Sequence, residues 1–494
     1  MKSEPIMDAI TELDDELILD DPAPAMRAAK KKYTAVLAAC ALLAVGLIIG
    51  GITLFGRDSG AFRKPAARAA ALAEPVYPTD KQWKDYYNNA AADQPDPAWE
   101  RRMQNRGAGD SFRRFFADVT LQLLGEEDTE NAVMSPVNIF MSMAILAETS
   151  GGESRQEILD ALHADSMDAL RGQARKVWEL AYIDNGVEKS IPANSLWLSG
   201  EYAYAPETVR TVAENYYASV FQGEMGEPAY DQLLRDWLNA QTGGLLAEKI
   251  DRLQFRPDTA LRLLSTLFLQ TKWGVPFAEK NNRELVFHGS QGDRTVTFLH
   301  ADNYLNGYYY GDKFIFIDVP TFSSHVLFFL PDEGVTLTEM LADKAFRAFL
   351  TAPDVTRCRK YEEATDSFVP QDYNGVTAGA WTRIHLSLPK LDFTCTQDLT
   401  DDLTALGIHT ILDPDAADFS PLLGKDRACL QEITQTSRLI MDEEGVSAAS
   451  YVDALVGAPL PPEDEIDLIL DRPYFFLILG NDNLPLFAGV VNQP

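Results

Sequence analysis

The stretch Met441 to Pro462 reads MDEEGVSAASYVDALVGAPLPP, and small or apolar residues hold every second place in it: Val446, Ala448, Ser450, Val452, Ala454 and Val456. In an extended chain these six share one face, while Ser447, Ala449, Tyr451, Asp453 and Leu455 share the other. The first face suits a core. The segment nevertheless opens on Glu443-Glu444-Gly445 and closes on Ala458-Pro459-Leu460-Pro461-Pro462, ends that suit an exposed loop. A loop written in the alternation of a strand is the expectation around which the rest of the chain is read.

The chain has 494 residues, a hydrophobic content of 46% and a charged content of 24%, enough apolar material for a large core. A formal net charge of -31 argues against nucleic acid as a partner, since a phosphate backbone requires a basic footprint. Cysteines are sparse, at Cys40, Cys358, Cys395 and Cys429, without a CxxC pair, so a disulfide scaffold is excluded.

Tyr33 to Phe55 carries no charge, and as a helix it is about 34 Å long against a hydrocarbon core of about 30 Å. It is expected to span a membrane once. Leu37-Ala38-Ala39-Cys40 has the form of a lipoprotein box, but only four residues separate it from Lys32, and the apolar run continues beyond Cys40. Lys30, Lys31 and Lys32 at the boundary favour an N-terminus inside and a large domain outside. The expected organisation is a cytoplasmic acidic tail at 1–32, a span at 33–55, an extracytoplasmic stalk at 56–109 rich in Ala, Pro and Asp, and a folded domain at 110–494. The chain has no Asn-x-Ser/Thr sequon, which suits a bacterial surface protein.

Within the domain, Phe112, Phe115, Phe116, Val119 and Leu123 recur at helical spacing. Ser135-Pro136 opens a mostly apolar helix to Glu148, which is expected to be central. Phe314 to Val319, His325 to Leu330, Leu468 to Leu470, Phe475 to Leu479 and Leu486 to Val491 read as buried strands, giving a mixed α and β class.

Eight motifs follow one another in the order and approximate spacing of one family. They are Asn131-Ala-Val-Met-Ser135-Pro136, Asn194-Ser-Leu-Trp197, Trp273-Gly-Val-Pro276-Phe277, Phe328-Phe-Leu-Pro331-Asp-Glu-Gly334, Leu388-Pro389-Lys390-Leu391, Glu443-Glu444-Gly445, Arg472-Pro473-Tyr474-Phe475 and the closing run Pro485 to Pro494. Over roughly residues 107 to 494 the chain resembles the serpins. The resemblance implies an α+β fold of three β-sheets with about nine helices and an exposed reactive centre loop, here 445–462. It also implies a monomeric inhibitor that traps a serine, or in some cases a cysteine, endopeptidase by inserting the cut loop into the main sheet, a mode of strand addition typical of that family.

The resemblance further assigns Glu443, Glu444 and Gly445 to the hinge of the loop, and Val446, Ala448, Ser450, Val452 and Ala454 to the inserting face. Trp273 falls near the point where the loop enters, and Ser135 and Asn138 fall at a central gate beneath the sheet. Ser265 and Gln435 stand there in place of the family's usual asparagine and histidine. The scissile bond is open between two registers, after Pro459 (before Leu460) or after Ala458, with cleavage after Val456 or Leu455 a third reading. The small apolar run Val456-Gly457-Ala458 points to an elastase-like target, and the loop lacks the basic residue that a trypsin-like protease requires.

Residues 346–383 are longer than the corresponding family connection and read as an inserted surface loop. An enzyme is disfavoured: no GxSxG, HExxH or phosphate-cradling glycine motif is present, and the six histidines are scattered, so neither metal nor cofactor is expected. The alternative class is a non-inhibitory surface protein that uses the fold for binding or envelope signalling.

Overall fold

A computed structural model describes residues 70–80, 97–106, 110–125, 130–186, 188–243, 250–362, 367–431, 433–446 and 465–494. The expected span 33–55, the acidic tail and loop residues 447–464 lie outside them; among the described residues no helix is long and apolar enough to cross a membrane.

The element that organises the core is the helix Pro136–Thr149, here α2. Ser135 caps it by accepting from the Asn138 amide, proline occupies its first turn, and every one of its residues is buried. It is apolar all round because it touches strands on both sides: two of a first sheet and Pro485–Val491 of a second.

The first sheet contains β1 (Ala70–Ala73), β2 (Lys189–Ser199), β3 (Ala218–Gly223), β4 (Leu261–Lys272), β5 (Leu391–Asp398), β6 (Thr434–Met441) and β7 (Gly445–Val446), ordered β1-β3-β2-β4-β7-β6-β5. Short strand Ile183–Asp184 also pairs with the start of β2. Helices α3 (Met167–Ala181) and α4 (Pro206–Tyr216) pack on α2. Helix α5 (Pro228–Gln241) packs on β4, and its Tyr230, Leu234 and Leu238 form a separate apolar cluster with Trp197 and Phe221.

The second sheet runs in the order Glu465–Ile469, Thr377–Pro389, Gly292–Tyr310, Phe314–Pro320, His325–Pro331, Tyr474–Leu479, Pro485–Val491 and Ala132–Met134, with Arg283–Gly289 beside the third strand. All the strands read from the sequence therefore fall in one sheet. Phe316, Phe329 and Phe475 stack through it under the helix Lys344–Leu350.

Three features depart from the sequence reading. The expected family count is three sheets and about nine helices; the described residues hold three sheets and eleven α-helices. The surplus helices are short ones such as Leu337–Leu341 and Ser420–Leu423, too brief to leave a periodic signal. The third sheet is only the hairpin Arg359–Glu362 with Ser367–Pro370, because the long strand Gly292–Tyr310 joins what would be separate sheets into one of nine strands. Residues 346–350 belong to a helix with Phe346, Phe349 and Leu350 buried, so the surface part of 346–383 starts after them. Finally, part of the segment read as a stalk lies on the domain. β1 pairs with the edge strand β3, and Asp80 is buried.

Behind the first sheet, Glu148 of α2 is buried and accepts from Arg171 Nε at 2.7 Å and Nη2 at 2.8 Å and from the Tyr216 hydroxyl at 2.9 Å, tying α2 to α3 and α4. Arg171→Met removes the cation and leaves the carboxylate buried, so we expect a loss of about 3 kcal/mol in stability, read from the urea midpoint.

Candidate functional site

The site is the middle of the first sheet. β7 is antiparallel to β4 on one side, with Gly445 opposite Lys272 and Val446 opposite Thr271, and to β6 on the other, with Val446 opposite Met441. Among the described residues these two alone bridge the two long strands. Beyond them, among the described residues, β4 and β6 share no backbone ladder. A cavity of about 40 Å³ lies between them, walled by Thr266 to Leu269 and Thr436 to Ile440, floored by Asn138, Ile478 and Phe487 and overhung by Thr242 just past α5. Among the described residues the buried Thr266 hydroxyl has no partner. The centre of the sheet is thus a slot that no described strand fills.

The bridged end is built around the turn Asp442 to Glu444. Trp273, 3% exposed, donates its indole N–H to Asp442 O at 2.8 Å and its backbone N–H to Glu444 O at 3.1 Å, while Phe277 N donates to Glu443 O at 3.1 Å. Trp273 and Phe277 meet edge to face at 5.8 Å. Lys390 Nζ lies 2.9 Å from both Glu443 carboxylate oxygens, and the Asn282 amide donates to one of them. Burial pushes the Glu443 carboxyl up, but the bonds from Lys390 and Asn282 outweigh it and hold it below the ordinary range. Burial also lowers the neighbouring Lys272 ammonium, against the pull of Glu444. Gly445 adopts φ +156° and its Cα lies against β4; a Cβ there falls 2.3 Å from Thr271 O, so any side chain forces the hinge away from the sheet.

At mid-slot α2 grips both lips from below. Gln435 of β6 accepts from Ser135 N at 3.2 Å and donates to Ser135 O at 3.1 Å. The Asn138 amide reaches β4: in the amide orientation that its neighbours dictate, its nitrogen donates to Ser265 Oγ at 3.3 Å and Thr266 O at 3.2 Å, and its oxygen accepts from Leu267 N at 3.0 Å. Ser265 passes the chain to Asn194 Oδ1 at 2.8 Å, and the Asn194 amide donates to Tyr216 O at 2.9 Å. Ser135, Asn138, Ser265 and Gln435 thus meet in one network, with Trp273 at the bridged end. The loop residues Ala448, Ser450, Val452, Ala454, Val456, Ala458, Pro459 and Leu460 lie outside the described residues. Lys390, Phe277 and Asn194 stand in quoted motifs but were given no role from the sequence, and those motifs were the available signal; Asn282 was not singled out.

The family profile described as Serpin (serine protease inhibitor) matches residues 111–494. The chain belongs to the serpin family. Curated serpins similar to it include plasminogen activator inhibitor 1 of Sus scrofa, 24% identical over 398 residues that cover 77% of this chain and 91% of that protein. Serpin-ZX of Arabidopsis thaliana is 24% identical over 385 residues, 74% of this chain and 92% of that one. Among solved serpins, the native state of the thermophilic tengpin superposes with a TM-score of 0.63 at 20% identity, covering 87% of this chain and all of that one. Thyroxine-binding globulin in complex with thyroxine gives 0.59 at 19% identity, covering 79% and 99%. These superpositions establish the serpin fold, and the family's members are in general protease inhibitors. Cys358 and Cys429 of this serpin are free thiols, and burial raises the Cys358 thiol to about 12.

Because Glu443 has its folded-state pKa depressed, the stabilisation that it gives the hinge is complete above the unfolded carboxyl value of about 4.3 and is lost as pH falls through the lower folded value. We expect acid to release the turn from Trp273, read as a change in tryptophan fluorescence below about pH 4, and Lys390→Met to bring that change to higher pH. A Lys390→Met midpoint equal to that of the wild type removes the pair from the hinge.

Proposed function

We propose that this serpin inhibits endopeptidases by accepting its own cleaved loop as a new central strand. The observation that carries the reading is the slot itself: two long strands without a mutual ladder, the first loop residues between them at one end, and a cavity below.

Continuing the register of β7 along both walls tests the loop sequence against the slot. Ala448 falls opposite Leu269 and Leu439, Ser450 opposite Leu267 and Ser437, and Val452 opposite Ser265 and Gln435. Residues directly opposite share a face. Gln435, Ser437, Leu439 and Met441 are the buried members of β6 and alternate with half-exposed neighbours. The small set of the loop thus arrives on the core side, and Tyr451 and Asp453 arrive on the other. β4 has twelve residues, so the register fills it from Gly445 to Val456, which falls opposite Leu261 at the far end. That length keeps Val456, Ala458 and Pro459-Leu460 as candidate cleavage positions, since each leaves the whole strand on the inserting side.

The chemistry belongs to the protease. Its nucleophile attacks the scissile carbonyl, the peptide bond breaks to leave an acyl-enzyme, and the new amino end stays with Glu465–Ile469 in the second sheet. Insertion then carries the ester-linked protease about 40 Å along the slot before water can release it. The small residues Val456 and Ala458 favour an elastase-like serine protease. Residues 33–55 are read as a single-pass anchor that holds the monomeric inhibitor outside the membrane. The non-inhibitory alternative stands on the fold alone, which also supports a thyroxine-binding member.

Mixing the ectodomain with an elastase-like protease is expected to give a covalent complex that survives SDS, and mass analysis of the released peptide fixes the bond. Free fragments only, with no complex, support the non-inhibitory class. Ala448→Arg places an unpaired charge between Leu269 and Leu439 and is expected to turn inhibitor into substrate, raising the stoichiometry of inhibition at least tenfold. An unchanged stoichiometry defeats the insertion mechanism.

A further inference from the structure

The surface insertion carries the hairpin Arg359–Glu362 with Ser367–Pro370, and its root is firmly held. Cys358 is buried and its carbonyl accepts from Gln371 N at 2.8 Å, while Arg357 lies over the Tyr373 ring at 4.3 Å and donates to the Tyr373 hydroxyl at 3.2 Å. From that root the two strands pair from Arg359 opposite Pro370 to Glu362 opposite Ser367. Arg359 reaches the second sheet: it donates to Gly379 O at 3.2 Å and lies against Gly307, where any Cβ would collide with it. Two residues further out on the same face, Tyr361 and Phe368 stand directly opposite each other and meet edge to face at 5.6 Å. They are 52% and 70% exposed. Aromatic side chains presented this way on a rigid ladder are the kind that anchor protein interfaces.

The position of the pair selects its partner. Gly379 and Arg383 lie on one strand, Thr377–Pro389, and Arg383 stands opposite Glu465 in a parallel pairing and donates to its carboxylate. Because the pairing is parallel, the end of Glu465–Ile469 at which the loop joins points the same way as the end of Thr377–Pro389 that holds the hairpin. The four residues from Gly379 to Arg383 span about 13 Å. Leu460 is five residues before Glu465, a chain length of at most about 18 Å. An endopeptidase of about 240 residues has a radius of gyration of about 18 Å, so one that holds a bond near Leu460 has its own surface over the hairpin. We propose that Tyr361 and Phe368 form a second contact surface for the target endopeptidase, gripping an apolar patch on its rim while the loop occupies its cleft. This rests on the inhibitor reading above and deepens it, since selection of the enzyme is then shared between the loop and a fixed surface beside it.

The test uses the full chain and pancreatic elastase in two forms, active and with its nucleophilic serine replaced by alanine. The double variant Tyr361→Ser with Phe368→Ser changes two exposed side chains and is expected to keep the wild-type melting temperature. It is expected to slow the second-order rate of inhibition about tenfold at unchanged stoichiometry, and to weaken binding of the inactive elastase about tenfold. Lys360→Ser alters the opposite face of the hairpin and is expected to leave both within about twofold. A double variant with wild-type rate and affinity, or an equal loss from Lys360→Ser, overturns the contact surface and leaves the inhibitor reading in place. A wild type that yields only cut fragments, with the double variant still binding inactive elastase about tenfold more weakly, overturns the inhibitor reading and keeps the surface. Light scattering that finds the wild type a dimer and the double variant a monomer gives the pair to a second copy of the chain and overturns the proposal.

Discussion

The structure depends on an interaction that is left unmade. Two long strands in the middle of a sheet would ordinarily exchange a full ladder of backbone hydrogen bonds, and buried backbone groups without partners are costly. Here, among the described residues, β4 and β6 are joined through Gly445 and Val446 alone, a cavity lies between them, and the Asn138 amide lends β4 a donor and an acceptor. The described residues thus leave this pair of strands without a ladder, and the proposed function supplies the missing strand from the chain's own loop.

Two kinds of contact keep this arrangement from collapsing or filling early. At the bridged end the Asp442 to Glu444 turn is held by backbone bonds to Trp273 and Phe277 and by the Lys390 ion pair with Glu443. Beneath mid-slot, α2 bonds both lips at once through Gln435 and Asn138. Because Gln435 is neutral and amphoteric as a hydrogen-bonding group, this grip makes and breaks without a proton, whereas the carboxylate at the hinge does not. Acid sensitivity is thereby concentrated at one end of the slot.

Much of this was legible in the sequence. The alternation from Val446 to Val456 needs only the period of a strand; of that stretch Val446 alone lies among the described residues, opposite Thr271 and Met441. The capped apolar helix from Ser135 and the strands of the second sheet were equally plain, because each is a local pattern of apolar residues. The docking of Tyr77 and Asp80 was not legible. An Ala- and Pro-rich stretch with one tyrosine and one aspartate has the composition of a linker, and its order comes from partners far along the chain, Trp178, Tyr217 and Asp184. The merging of strands into a nine-stranded sheet was hidden for the same reason: strand length is local, but which strand continues beside it is not.

The match between strand lengths narrows what cleavage can do. β4 offers twelve places and the loop's alternation ends at Val456, the residue that falls opposite the last of them. Residues after Val456 are thus free of any demand to pack in the sheet, and the sequence changes character there, to Gly457 and the prolines. Proline removes a ladder donor and fixes φ, so Pro459, Pro461 and Pro462 would obstruct a central strand if they had to enter it. In the proposed mechanism they fall beyond the twelfth place and stay out of the slot. On that reading the division between the alternating half and the proline half of the loop is a division between the part that completes the fold and the part that selects the enzyme.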